Sequence, residues 1–249
     1  MKNLKNCLVT GGAGFIGSHI VERLLKEGSR VTVIDDLSEG KWENLPKHPN
    51  LIKYEGSILD DMGKLAAGQD AIFHLAAIPR LQRSLARPWE THIVNVDGTL
   101  NLLLAARKYK VKRFIFSSSS SVYGNRNRVP FNERMRPDPL VPYSLQKLIG
   151  EEYCQMFSSL WTIGTICLRY FNVYGPRMNP NGQYANLIPK FIKLMSQNKT
   201  PTVNGDGFQT RDFTYVSDVA EATLLAAKSS LSGEIFNVGF GKSISVNDI

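Results

Sequence analysis

The chain is poor in the residues that build disulfide scaffolds, metal centres and membrane anchors. Its 249 residues include only three cysteines, Cys7, Cys154 and Cys167, in an apparent strand, a helix and another strand. The odd number and the missing metal-ligand spacing make them reduced core residues, as expected of a cytoplasmic protein. The four histidines are scattered, so no metal is expected. No apolar run approaches the ~20 residues of a membrane-spanning helix, so no membrane partner is expected. The start, Met1-Lys2-Asn3-Leu4-Lys5, leads straight into a strand-like run, which argues against a signal peptide. Sequence repeats and low-complexity tracts are missing apart from one run of serines. There is no long Lys/Arg block and no nucleic-acid motif, so the net charge of +8 reads as solvated surface, with no nucleic-acid partner.

What is present is an ordinary globular composition, 43% hydrophobic and 21% charged. The most informative stretch lies near the start. An apolar run, Leu4 to Val9, reads as a buried strand, and an amphipathic run, Phe15 to Glu27, reads as a helix. Gly11, Gly12, Gly14 and Gly17 fall at the turn between them. A tight glycine turn lets a pyrophosphate approach the backbone, and the N–H groups of the helix start then face the phosphates. Gly11, Gly14, Phe15, Ile16 and Gly17 are therefore candidate dinucleotide contacts. Asp35 ends the next strand-like run, Val31 to Ile34, about twenty residues on, where a carboxylate accepts from ribose hydroxyls. Asp36 fits that role equally well. No arginine follows closely, so NAD is expected rather than NADP. Part of the positive charge is then available to a diphosphate ligand.

Strand and helix signals alternate along the chain. Leu51–Tyr54, Ala71–Leu75, Arg113–Ser117 and Thr162–Leu168 read as strands. A long helical stretch runs from Pro88 through Ala106, and another from Tyr143 to Leu160. Such alternation predicts an α/β fold, a doubly wound parallel sheet of the Rossmann kind with ligands beyond the carboxyl ends of the strands. The dinucleotide-binding domain is expected over 1–169, with 212–238 returning to it. Residues 170–211 and 239–249 are expected to form a smaller substrate-binding lobe. The last residues, Ser243 to Ile249, resemble a strand end and a helix start, so the lobe is expected to be incomplete.

Three further groups of residues suggest chemistry. Tyr143 and Lys147 lie one turn apart on a helix and share a face. An ammonium and a positively charged nicotinamide favour the phenolate, so Tyr143 is expected to titrate below its usual 10 and to act as a base. The serine run Ser117-Ser118-Ser119-Ser120-Ser121 ends a strand, where a hydroxyl can meet a substrate oxygen. Asn172, after another strand, can donate to a phosphate, and Arg211 offers a diphosphate clamp.

Taken together, Thr10–Gly17, His74-Leu75-Ala76-Ala77, Asn95-Val96-Asp97-Gly98-Thr99, the serine run, Tyr143/Lys147 and Arg169–Gly175 resemble the extended short-chain dehydrogenase/reductase family over essentially the whole chain. Within it, the chain resembles the NAD-dependent nucleotide-sugar 4-epimerases. The resemblance implies Ser119, Tyr143 and Lys147 as catalytic residues. It implies Asp35, Leu75, Ala76, Ala77 and the buried Asn95 around the cofactor, with Asp36, Ser57, Ile58, Ser117 and Tyr170 completing that set. Ser57 departs from the family's usual aspartate near the adenine. Arg83, Ser84, Ser119, Ser120, Asn172, Asn186, Leu187 and Arg211 are implied for a UDP-sugar. Related 4,6-dehydratases carry an Asp-Glu pair before Val-Tyr-Gly, and Ser120-Ser121 here argues against dehydration. Arg83-Ser84 and Pro176–Gly182 look most like the branch acting on UDP-N-acetylglucosamine, with features shared by UDP-glucuronate enzymes. The implied reaction removes the 4-hydroxyl proton through Tyr143, passes hydride to NAD, and returns it to the other face of a 4-keto sugar. A UDP-glucuronate epimerase or decarboxylase, or another nucleotide-sugar oxidoreductase, is the alternative within the family, and a non-catalytic dinucleotide-sensing scaffold the alternative outside it. A homodimer through the helices at Leu100–Ala106 and after Tyr143 is also implied.

Overall fold

The computed structural model describes residues 4–161, 163–180 and 187–249. Strand β1 (Asn6–Thr10) turns into helix α1 (Phe15–Lys26), followed by β2 (Arg30–Asp35), β3 (Leu51–Glu55), the short α2 (Gly63–Ala66) and β4 (Ala71–His74). Helices α3 (Leu81–Ala86), α4 (Pro88–His92) and α5 (Gly98–Lys108) precede β5 (Arg113–Ser119). Helix α6 (Pro142–Trp161), β6 (Gly164–Tyr170), β7 (Val173–Tyr174) and α7 (Leu187–Ser196) come next. The chain continues through β8 (Thr210–Arg211), β9 (Thr214–Tyr215), α8 (Val216–Lys228), β10 (Glu234–Val238) and β11 (Ile244–Ser245).

Successive strand residues point to opposite faces, and both faces here are apolar. Val9, Val33, Phe73 and Ile115 pack with Ile20, Val21 and Leu24 of α1 and Val219 and Leu224 of α8. Their neighbours Leu8, Ile34, Ile72 and Phe114 pack on the other side with Leu102 and Leu103 of α5 and Phe157 of α6. Near-continuous apolar strands of this kind belong to a parallel sheet covered twice. Seven strands accordingly form one sheet in the order β3-β2-β1-β4-β5-β6-β10, every pairing parallel. This is the doubly wound α/β fold. Strand order reverses between β1 and β4, which opens a crevice beyond their carboxyl ends. The short strands pair outside the sheet, β7 with β9 and β8 with β11.

Two expectations need adjusting. The helix expected to run unbroken from Pro88 is interrupted by a π-helical segment, Ile93–Asp97, between α4 and α5. Its wider turn carries Asn95 into the interior. The sixth strand begins at Gly164, and Thr162 lies outside the described residues. Among the described residues, no helix is long and apolar enough to cross a membrane.

Arg113 joins β5 to α8 from a buried position. Its guanidinium donates to the carbonyls of Leu231 and Ala226 at 2.5 and 2.6 Å and to the Ser229 hydroxyl at 3.3 Å. Carbonyls at a helix C-terminus favour a cation. Arg113→Met is expected to lower the unfolding free energy by about 2–3 kcal/mol, since two carbonyls and a hydroxyl lose their donor together. Urea denaturation checks this, and an unchanged midpoint would contradict it.

Candidate active site

The glycine turn is built by close backbone contacts. Gly11 has φ +66, and a Cβ there would lie 2.7 Å from the Ala76 nitrogen. A Cβ on Gly17 would run into the Gly11 carbonyl. Helix α1 then starts at Phe15 with no side-chain cap and no acid in its first turn. Its positive end is thus open to the crevice. Asp35 braces the turn: its carboxylate accepts from the nitrogens of Ala13 and Leu37, each at 2.9 Å. Burial raises its pKa, and these hydrogen bonds oppose the rise. Asp36 receives the Ser38 nitrogen and hydroxyl at 3.0 and 2.6 Å.

A chain of directed hydrogen bonds ties this turn to the end of β4. The Ala76 nitrogen donates to the Thr10 hydroxyl oxygen at 3.2 Å, and Thr10 meets His74 Nδ1 at 2.8 Å. His74 Nε2 meets Thr99 at 2.9 Å, and the Thr99 hydroxyl donates to the Asn95 carbonyl at 2.7 Å. Because Thr99 donates onward, the ring proton belongs on Nε2, and Thr10 donates to Nδ1. Asn95 holds the Ile78 backbone at both its nitrogen and its oxygen, 2.8 and 3.1 Å, and donates to Gln146 at 2.8 Å. It stands behind the crevice wall and acts through the Leu75–Ile78 segment.

At the other end of the crevice, β5 and α6 converge. The Ser119 hydroxyl lies beside the Tyr143 phenol at the cavity wall, close enough to lower the phenol's pKa. The Lys147 ammonium donates to the Ser117 carbonyl at 2.7 Å and sits 5.9 Å from the centre of the Tyr143 ring. Ser84 closes the helix start from outside, accepting the Tyr143 nitrogen at 3.1 Å. Burial pushes the phenol up to about 12, against the expected fall, and Ser119 offsets this only partly. Burial also draws Lys147 down to about 8. In the protein alone, desolvation outweighs the neighbouring ammonium, so Tyr143 is a neutral phenol.

One cavity of about 1680 Å³ runs between the two ends. Gly11, Gly14, Phe15, Ile16, Gly17, Asp35, Asp36, Ser57, Ile58, Leu75, Ala76 and Ala77 line its first half. Ser117, Ser119, Ser120, Tyr143, Lys147, Tyr170, Asn172 and Arg211 line the second. Tyr170 presents only part of itself, since its hydroxyl pairs with Thr223 of α8 at 2.7 Å. Asn172, with φ +21, donates to the Asp212 carbonyl at 2.9 Å. Arg211 and Asn172 also line an adjoining pocket of about 270 Å³, together with Leu187. Arg83 and Ser84 are outside the cavity lining: Arg83 pairs with Glu39 at 3.1 Å, and Ser84 caps α6. Asn186 lies outside the described residues.

Several contributors escaped sequence reasoning. Glu39 and Arg80 line the cavity and pair at 3.3 Å. Asn237 lines it and accepts the Tyr123 hydroxyl at 2.7 Å. Glu151 and Arg169 form a buried ion pair below Lys147. The one available signal was Arg169, a charge ending the apolar run Thr165-Ile166-Cys167-Leu168.

The family model described as NAD dependent epimerase/dehydratase family matches residues 7–239, and the chain belongs to that family. It is 42% identical to a putative UDP-glucose 4-epimerase of Methanocaldococcus jannaschii, over 97% of this chain and 79% of the relative. It is 41% identical to a UDP-N-acetyl-alpha-D-glucosaminuronate decarboxylase of Bacillus cytotoxicus, over 98% of this chain and 78% of the relative. Among solved structures, the UDP-N-acetylglucosamine 4-epimerase of Methanobrevibacter ruminantium in complex with UDP-N-acetylmuramic acid superposes with a TM-score of 0.96 at 42% identity, covering 99% of this chain and 80% of that one. NAD is the cofactor of the family, and the turn here fits it: the space at Gly11 and Gly17 admits no side chain, and the uncapped helix start faces the cavity.

His74 generates a pH prediction. Burial lowers its pKa from 6.5 to about 3, so between these values the unfolded chain binds a proton that the folded chain does not. The stability it contributes is complete above about pH 6.5 and is lost as pH falls towards 3. The stability difference between the wild type and His74→Gln is therefore expected to narrow as pH falls. Urea titrations at several pH values check this, and a constant difference would refute it.

Proposed function

We propose that the chain is a UDP-sugar 4-epimerase, acting on a UDP-hexose or UDP-N-acetylhexosamine with bound NAD. The supporting observation is that Tyr143, Ser119 and Lys147 line the same cavity as the glycine turn, with the Lys147 ammonium 5.9 Å from the Tyr143 ring centre. NAD, when bound, supplies a reversible hydride acceptor for carbon four of the sugar. Tyr143 takes the proton of the 4-hydroxyl and gives it back, and Ser119 shares that proton through its own hydroxyl. Lys147 holds a positive charge near the phenol and favours its ionised form as the proton moves. To accept that proton the phenol must first lose its own, a loss that burial opposes and that Lys147 and the positive charge of the oxidised nicotinamide would together favour, with the proton passing to solvent through the cavity.

Inversion needs the flat 4-keto sugar to turn over between two proton transfers. The nucleotide must then be held firmly and the sugar loosely, which places binding energy in remote groups. Arg211 and Asn172 are proposed for the diphosphate and Leu187 for the uracil, since Arg211 and Asn172 line both pockets and Leu187 lines the smaller one. Ser120 and Ser121 offer no carboxylate for dehydration. The 41% identity to a UDP-N-acetyl-alpha-D-glucosaminuronate decarboxylase and the 36% identity to a UDP-glucuronate 4-epimerase of Thermodesulfobacterium geofontis support a UDP-uronate reading as the second choice. A sensing scaffold has no need of the Tyr143–Ser119–Lys147 arrangement.

Incubation with UDP-galactose, UDP-N-acetylgalactosamine and UDP-glucuronate, with products read by NMR, separates these readings. Interconversion at carbon four is expected, and loss of carbon dioxide from UDP-glucuronate alone would favour the second. Tyr143→Phe should lower kcat by roughly 10²–10⁴-fold and leave NAD binding nearly unchanged; retained activity would remove Tyr143 from the reaction.

The proposed working form is a cytoplasmic homodimer. The three cysteines are free and buried, in keeping with a reducing compartment. Leu104 on α5 and Leu145, Met156 and Leu160 on α6 are exposed, Leu160 by 61%, and supply an apolar face for a second copy. Leu160→Glu is expected to convert a dimer to a monomer in light scattering. A monomeric wild type would reject the dimer.

A further inference from the structure

Glu151 lies one helical turn beyond Lys147 on α6 and is fully buried. Its Oε1 accepts from Arg169 Nε at 2.9 Å and from the Ser118 hydroxyl, and its Oε2 accepts from Arg169 Nη2 at 2.6 Å. Arg169 lies 4.7 Å over the Tyr123 ring, turned to Glu151 and Tyr123. Ser118 stands between Ser117, whose carbonyl takes the Lys147 ammonium, and Ser119, which meets Tyr143. The buried cluster thus holds two cations, Lys147 and Arg169, around one acid. Lys147 is only 4% exposed, so solvent does little to stabilise its charge.

We propose that Glu151 is a positioning residue that acts through Lys147: its carboxylate, locked by Arg169 and Ser118, is the fixed buried countercharge that keeps the ammonium charged at the reacting end. The role assigned to Lys147 rests on the epimerase reading. The other groups that face Lys147 do not supply this charge. Tyr143 and Cys154 on α6 are neutral when protonated, and burial holds Cys167 on β6 in its thiol form. His74 on β4 is neutral, and Arg169 on β6 is a cation. Burial draws the lysine down, and Glu151 is the strongest influence in the other direction. A pair that merely joined α6 to β6 would brace the fold without setting the lysine's ionisation.

The experiment follows the ionisation of Lys147 through the 13Cε shift of lysine-labelled protein, assigned with Lys147→Arg, without substrate or cofactor. Glu151→Gln is expected to move the midpoint down by about one pH unit or more. Glu151→Asp, which keeps the charge, should return most of that shift even if the protein melts earlier. An unmoved midpoint in Glu151→Gln overturns the proposal. If that variant strands Arg169 and does not fold, the double variant Glu151→Met/Arg169→Met removes both charges together and is expected to fold. Because loss of Arg169 also lifts a repulsion, the comparison is with Arg169→Met alone: a lower midpoint in the double variant supports the countercharge, and an equal one overturns it. The titration needs no turnover, so a wild-type chain without epimerase activity would defeat the earlier reading and leave this one standing.

Discussion

The reacting end depends on where helix α6 begins and how it is rotated. One face of that helix carries Tyr143, Lys147 and Glu151 at one-turn intervals, and each is held by a different element. Ser84 from α3 receives the Tyr143 nitrogen, the Ser117 carbonyl of β5 receives the Lys147 ammonium, and Arg169 of β6 grips Glu151. A slip of α6 by one residue would turn every one of these groups by about 100°. Buried charges tolerate such a slip poorly, because an unpaired one costs several kcal/mol. The polar face of α6 therefore sets the register that its apolar face, which carries Cys154 and Phe157 against Phe114 and Phe116 of β5, leaves free to slide.

The cofactor end follows a different logic. There the backbone does most of the work, and side chains serve to hold it. Gly11 packs against Ala76 closely enough to exclude a methyl group, Thr10 holds the Ala76 nitrogen, and Asp35 holds the turn at Ala13. The His74 relay extends this rigidity to Asn95 in the π-helical turn, and Asn95 in turn reaches Gln146 on α6. The two ends of the cavity are thus mechanically joined by neutral hydrogen bonds, which carry no charge that a passing anion would disturb.

Much of this could be read from the chain. Glycines between an apolar strand and an amphipathic helix identify their own turn, because the constraint is local. Tyr143 and Lys147 announce a shared face by their spacing alone. The ionisation of Tyr143 could not be read that way, because it depends on how completely neighbouring chain segments exclude water. Asn95, Arg83 and Ser84 sit near the crevice in sequence terms, yet the structure turns Asn95 and Ser84 towards backbone groups and Arg83 towards Glu39. The π-helical turn gave no distinctive local pattern, and the charge of Arg169 at the end of an apolar run did not reveal its partner Glu151, 18 residues away.

The sequence by itself determined the alternation of elements, the twice-covered parallel sheet and the dinucleotide turn, since each follows from short-range periodicity and backbone sterics. Only the tertiary structure decided which hydroxyl meets Tyr143, which acid lies beneath Lys147 and which polar groups brace the walls. Those outcomes depend on distances between segments far apart in the chain and on the water that packing removes from between them.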